Sequence, residues 1–191
     1  MMKRLFDFSL AAFSLLLLSP VFIVSFLAVK LSSKGPGIFR QERIGLHGKP
    51  FMIYKFRTMV VNEEDEGTPQ LAEIIDERLT KIGAWLRSHH LDELPQLWNV
   101  LKGDMSFVGY RPERQYFINQ IMAIRPDYQR LYDIRPGITS LATIYNGYTN
   151  NMEKMIRRLD MDLDYLNHMS FCEDLRIIFL TVVNILAGKK I

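Results

Sequence analysis

Cysteine is nearly absent from this 191-residue chain, where Cys172 stands alone. A single thiol excludes an intrachain disulfide and a thiolate metal cluster, and it fits a reduced, cytoplasm-facing setting. Internal repeats and low-complexity tracts are missing as well. So is a large charge of either sign. The 24 Lys and Arg against 21 Asp and Glu leave a net +3, too mild for a dedicated nucleic-acid binder. The basic residues flank apolar segments instead, which suits an anionic membrane surface. With 48% hydrophobic residues, the chain can hold one domain with a real core plus a membrane element.

The most telling absence is local, because Phe8 to Val29 carries no charge. About 20 apolar residues suffice to span a bilayer. A signal peptide would share the basic start at Lys3-Arg4, but this run is too long and no small-residue cleavage site follows it. A spanning helix and a re-entrant hairpin both remain open. Ser19-Pro20 lies near the middle, where an uncompensated proline costs a helix roughly 3 kcal/mol. Each half is about 18 Å long at 1.5 Å per residue, short of a hydrocarbon core of about 30 Å. Lys3 and Arg4 before the run, with Lys30, Lys34, Arg40 and Arg43 after it, place positive flanks on both sides. Proline kinks also occur in true spans, so residues alone leave the two readings level.

Lys34-Gly35-Pro36-Gly37 is a turn that divides the chain into a membrane element, 1–34, and a globular part, 35–191. Partial alternation in Ile38–Ile44 and Phe51–Arg57 predicts a hairpin of strands. Asn62–Gly67 reads as an acidic solvated loop. Gln70–Arg87 reads as a helix with Leu71, Ile74, Ile75, Leu79, Ile82 and Leu86 on one face. Phe171–Leu186, followed by Lys189-Lys190, has apolar residues at helical spacing. It suits the membrane interface or the core, with the core as the default.

The centre of the chain reads Leu91-Asp92-Glu93-Leu94-Pro95-Gln96-Leu97-Trp98-Asn99, ending at Gly103-Asp104. Asp92 is a good N-cap, Pro95 is tolerated only in a first turn, and Gly103 marks a helix end, so a helix is expected to start close to Asp92. Such a start favours anions and suits a nucleophilic aspartate acting on a phosphorylated substrate. On that stretch alone, an ordinary capped helix with a solvated Glu93 accounts for the pattern. Arg111, Arg114 and Arg135 are candidates to hold a diphosphate, since guanidinium forks match phosphate oxygens.

Several stretches together resemble the bacterial sugar transferases, the small monotopic phosphoglycosyl transferases that start lipid-linked glycan assembly. They are Lys3–Asp7 leading into Ser19-Pro20, Lys55-Phe56-Arg57-Thr58-Met59, Leu91–Ser106, Arg135-Pro136-Gly137-Ile138-Thr139, and Leu163–Leu166 with Ser170-Phe171. The resemblance runs through almost the whole chain in order, and the length is that of catalytic-domain-only members.

The resemblance implies an α/β, mostly helical fold. Its parts are a re-entrant membrane hairpin broken at Ser19-Pro20, a small cytoplasmic domain with a short β-hairpin, and amphipathic interfacial helices. It places the protein on the bacterial inner membrane, facing the cytoplasm. It makes Asp92 the nucleophile that takes a phosphosugar from a UDP-sugar, releasing UMP and passing the phosphosugar to polyprenyl (undecaprenyl) phosphate. Glu93, with Asp92 nearby, is the implied Mg²⁺ ligand. Lys55, Arg57, Arg87, Arg111 and Arg135 are implied phosphate-binding residues. A covalent intermediate divides one hard transfer into two easier ones.

The chain departs from the family pattern at Tyr110, where a proline is usual, and through Ser140-Leu141 and Asn146-Gly147-Tyr148. These departures bear on substrate identity more than on reaction type. His89 and His90 are expected to be exposed and incidental. Three rivals are an inactive membrane-anchored relative, a conventional glycosyltransferase releasing UDP, and a hydrolase passing phosphosugar to water.

Overall fold

The computed structural model describes residues 2–60, 78–147 and 149–188. The chain opens with two helices, α1 (Met2–Leu17) and α2 (Ser19–Ser32), bent by 66° at the break between them. Pro20 falls in the first turn of α2, where its missing N–H costs nothing, and the Ser19 hydroxyl donates back to the Leu16 carbonyl at 2.9 Å. No single helix among the described residues is long and apolar enough to cross a membrane, though this bent pair together is.

The polar residues of α1 are spent on the rest of the molecule. Arg4 donates to the Val100 and Leu101 carbonyls, Lys3 pairs with Asp174, and buried Asp7 accepts from the Ser106 hydroxyl at 2.8 Å and the Phe107 N–H at 3.2 Å. The apolar face of both helices is left bare, with Phe13 62%, Leu16 78% and Leu31 87% exposed.

Two strands follow, β1 (Ile38–Ile44) and β2 (Pro50–Phe56), paired antiparallel from Ile38 opposite Phe56 to Ile44 opposite Pro50. The expected hairpin is present. The helix expected over 70–87 is shorter in its described part. Leu79 bridges to Met59, Thr80 caps the N-terminus through its hydroxyl, and α3 covers only Lys81–Ser88. A capping Thr with extended backbone fixes that boundary. Leu86 of the predicted face is buried, while Leu71, Ile74, Ile75 and the acidic 62–67 stretch lie outside the described residues, as do Lys189 and Lys190.

After α3 come a 3₁₀ turn (Leu91–Glu93) and α4 (Gln96–Lys102), which ends at left-handed Gly103. Then β3 (Ser106–Val108), α5 (Gln115–Ile124), a 3₁₀ stretch (Pro126–Asp133) and β4 (Gly137–Thr139) follow, and β3 and β4 pair in parallel. This second sheet was not expected, because three-residue strands carry no readable alternation. It explains the glycine of the Pro136-Gly137 pair. A Cβ there would lie 2.1 Å from the Gly109 nitrogen, so only glycine permits the approach.

The chain closes with α6 (Leu141–Tyr145), α7 (Met152–His168) and α8 (Phe171–Leu186). The main core packs Ile44, Tyr110, Ile118, Ile121, Leu131, Met155 and Leu159. The core default for α8 fails: Asp174 and Ile177 are its buried residues, while Leu175, Phe179, Val182, Val183 and Leu186 are exposed. Its start adjoins α1 through the Phe6–Phe171 ring contact and the Lys3–Asp174 pair. Tyr165 donates to the other Asp174 oxygen, which anchors the carboxylate from both sides.

Candidate active site

The dyad is presented by a tight turn, not by a helix cap. His90 takes a left-handed conformation (φ 56°), and Leu91–Glu93 close a 3₁₀ turn through Glu93 N–H to His90 O and Leu94 N–H to Leu91 O. Pro95 is the N-cap and the α-helix begins at Gln96, so the missing proline N–H falls where no intrahelical bond is needed. The expectation that Asp92 caps the helix is corrected on this point, whereas the end at Gly103 is as predicted. Asp92 itself is 7% exposed.

Two cations from distant segments converge on Glu93. Lys55 Nζ, from β2, donates to Glu93 Oε1 at 2.6 Å, and Arg111 Nη2, from the loop after β3, approaches the same oxygen at 3.4 Å. Burial pushes the Glu93 carboxyl up, but Lys55 and Arg111 outweigh it and hold the group down at about 2. Asp92 goes the other way. Burial first, and the neighbouring Glu93 charge second, push it up to about 6 against the pull of Lys55, Arg87 and Arg111. Adjacent carboxylates are thus split into one fixed charge and one group poised near neutrality, the pattern of a reacting pair.

The Arg111 loop is held rigidly from behind. Gly137 N–H donates to the Tyr110 carbonyl, and Ile44 N–H donates to the Glu113 carbonyl. Buried Glu113 accepts from Arg43 Nη1 at 2.9 Å on one oxygen and from Arg158 Nη2 at 2.6 Å on the other. Tyr110, in place of the usual proline, is fully buried in the core, so packing does the work of the missing ring constraint. Ser140 caps α6 by accepting from Thr143 N–H, and buried Asn146 donates to the Lys154 carbonyl. Tyr148 lies outside the described residues.

Of the five expected phosphate-binding residues, Lys55 and Arg111 reach the dyad and Arg87 acts on Asp92 through its charge. Arg57 and Arg135 do not reach it. Arg57 is buried and donates through Nη2 to the Val29 carbonyl at 3.2 Å, the Ser33 carbonyl at 2.7 Å and the Ser33 hydroxyl at 2.9 Å, fastening the end of α2. Arg135 donates through Nε to the Gly103 carbonyl and lines a separate hollow beside Lys3 and Arg4. Arg114 stands at the cap of α5, where its carbonyl receives the Phe117 N–H. His89 is exposed as expected. His90 is half-buried, and that burial, the largest influence on its imidazole, pushes the pKa down.

Two residues escaped the sequence reading. Arg43 and Gln96 join Lys55 and Arg111 around a narrow open cleft beside the dyad. Arg43 shows in the sequence only as one more cation after an apolar run. Gln96 did leave a signal, since it lies one helical turn after Glu93.

No group of three or more His, Cys, Asp or Glu among the described residues could enclose a metal ion. Mg²⁺ does not require one. It keeps several waters and is held through one or two carboxylates plus substrate phosphates, which Glu93 and Asp92 fit.

A sequence profile of the family described as bacterial sugar transferase matches residues 1–188. The chain is 46% identical over 182 residues to a UDP-glucose:undecaprenyl-phosphate glucose-1-phosphate transferase of Klebsiella pneumoniae, covering 94% of this chain and 39% of that protein. It is 42% identical over 186 residues to a protein of the same description from Caulobacter vibrioides, covering 96% and 69%. A UDP-N-acetylgalactosamine-undecaprenyl-phosphate N-acetylgalactosaminephosphotransferase of Aeromonas hydrophila is 38% identical over 186 residues, covering 97% and 44%. The chain therefore spans about two fifths of the length of the first relative and about two thirds of the second.

Proposed function

This chain belongs to the bacterial sugar transferase family, and on that premise we propose that it moves a sugar-1-phosphate from a UDP-sugar to undecaprenyl phosphate. The observation that carries the reading is the divided dyad: Glu93 clamped by Lys55 and Arg111, with Asp92 buried beside it near neutrality.

In the first half-reaction, the ionised Asp92 carboxylate attacks the β-phosphorus of the UDP-sugar. The bond from that phosphorus to the bridging oxygen breaks, and UMP leaves with the oxygen. Asp92 now carries the phosphosugar as an acyl phosphate. A phosphate oxygen of undecaprenyl phosphate then attacks the same phosphorus, Asp92 departs as carboxylate, and the product is an undecaprenyl diphosphate sugar. With its pKa at about 6, Asp92 is mostly ionised at neutral pH yet only weakly stabilised by its surroundings, which suits a nucleophile and leaving group in turn.

Arg111 and Lys55 provide fixed positive charge where the phosphoryl oxygens gain negative charge. Mg²⁺, held by Glu93 with Asp92 nearby, would supply charge neutralisation on the diphosphate. Re-entry of the α1–α2 hairpin into the inner leaflet of the bacterial cytoplasmic membrane sets the dyad at the height of the lipid phosphate. The bare apolar face of the two helices and their 66° bend support that placement.

The test uses purified protein with Mg²⁺, UDP-glucose or UDP-N-acetylgalactosamine, and no lipid acceptor. The expected outcome is stoichiometric UMP and a phosphosugar adduct on the peptide containing Asp92, both lost in Asp92→Asn with its melting transition retained. UDP in place of UMP would move the protein to ordinary glycosyl transfer. Undiminished UMP release by Asp92→Asn would overturn the nucleophile assignment.

A further inference from the structure

Gln96 and Asn99 sit one turn apart on α4, and both are buried, at 2% and 0% exposure. Their amides are used differently. Asn99 is engaged with β2, accepting from the Tyr54 N–H at 3.1 Å and donating to the Met52 carbonyl at 2.7 Å. Gln96 makes no side-chain hydrogen bond to any described residue, and it lines the cleft with Arg43, Lys55 and Arg111. Its amide is therefore left to the cleft, where a ligand group can meet it.

Three cations line the same cleft, and each has a carboxylate partner, Arg111 meeting Glu93 at 3.4 Å. Lys55 is held by Glu93, and Arg43 by Glu113 and by the Gln41 side chain at 2.6 Å. Cations of this kind take phosphate oxygens. An amide adds what they lack: an acceptor oxygen beside its donors, and hence the capacity to receive a hydrogen bond. Phosphate offers no proton for it, whereas a hydroxyl does.

We propose that Gln96 reads a hydroxyl of the glycosyl group attached to the reacting phosphate, with Arg43 as an additional cation for that phosphate. The inference rests on the function proposed above. It makes Gln96 a specificity residue for the sugar, with no role in holding the nucleotide.

The test compares binding of UDP-glucose, UDP-N-acetylgalactosamine and UDP to the non-reacting Asp92→Asn protein with and without Gln96→Met, by titration calorimetry. Methionine keeps the length and unbranched shape of glutamine and removes its hydrogen bonds. The expected result is about tenfold weaker binding of the preferred UDP-sugar, the size of one lost hydrogen bond in a buried site, with UDP affinity and the melting temperature unchanged. Equal weakening of UDP and UDP-sugar would place Gln96 on the nucleotide diphosphate and overturn the assignment. Unchanged affinity for all three ligands would do the same. Gln96→Leu provides the same comparison if the methionine protein does not fold. Failure of the wild type to release UMP from either donor overturns the underlying function and this inference with it. A wild type that turns over, beside an indifferent Gln96 variant, overturns only the inference.

Discussion

Asp92 and Glu93 are neighbours in sequence with opposite electrostatic fates, because the two cations bond one carboxylate and not the other. The consequence for stability has two signs. Asp92, raised from 3.8 to about 6, favours the folded state below about pH 4, and that contribution is lost as pH rises through about 6. Glu93, lowered from 4.5 to about 2, favours the folded state above about pH 4.5, and its contribution is lost as pH falls through about 2. The pair therefore supports the fold best near pH 4, with Asp92 protonated and Glu93 ionised. Asp92→Asn removes the penalty of burying the charge. Without Mg²⁺, urea unfolding at pH 7.5 is expected to show the variant more stable than wild type by about 1–3 kcal/mol, with the gap narrowing below pH 6 and closing near pH 4. A constant gap across that range would contradict the raised Asp92 value.

At the scale of elements, the hairpin and the strands are bound by single side chains at defined points. Arg57, placed by β2, holds the carbonyls of Val29 and Ser33 at the end of α2, while Phe22 packs on Phe56 with ring centroids 4.9 Å apart. Arg57→Ala leaves two carbonyls without that donor and opens a buried void. A loss of about 3 kcal/mol is expected in chemical denaturation, since hydrogen bonds to a charged donor are each worth about 1.5–3 kcal/mol. Arg57→Lys is expected to recover only part of it, because one ammonium cannot reproduce the guanidinium fork. If Arg57 served phosphate instead, its loss would weaken UDP-sugar binding and leave denaturation unchanged, so the two measurements separate the roles.

For the molecule as a whole, the decisive property is where apolar surface is left uncovered. The two arms of the hairpin hold 16 and 14 residues, about 24 and 21 Å at 1.5 Å per residue, so neither alone matches a core of about 30 Å. Their side chains, with those of Phe179 and Val182 on α8, leave apolar surface uncovered. Cysteines introduced at Lys3 and at Lys34 in spheroplasts or inverted vesicles are expected to label from the same side of the membrane. Labelling from opposite sides would replace the re-entrant hairpin with a span.

Much of this was legible in the sequence because it is local. The uncharged run broken by Ser19-Pro20, the alternation of Ile38–Ile44 and its partner strand, the limits of α8 and the stop at Gly103 depend on near neighbours in the chain. The Asp92-Glu93 pair stood out as a candidate through its motif. The start of α4, the parallel pairing of β3 with β4 and the exposed face of α8 were not, because a proline N-cap, two three-residue strands and an unpartnered helix face carry no distinctive periodicity. Nor could the sequence sort its basic residues. Lys55 is 38 positions and Arg111 18 positions from Glu93, while Arg57, two residues from Lys55, points to the hairpin. Side chains two apart along a strand share a face only in the ideal case, and Arg57 lies just past the end of β2. The sequence by itself determined which residues are candidates for phosphate chemistry. Packing of β2, the β3 loop and α4 decided which of them meet, because contacts between distant segments follow from tertiary closure and not from spacing.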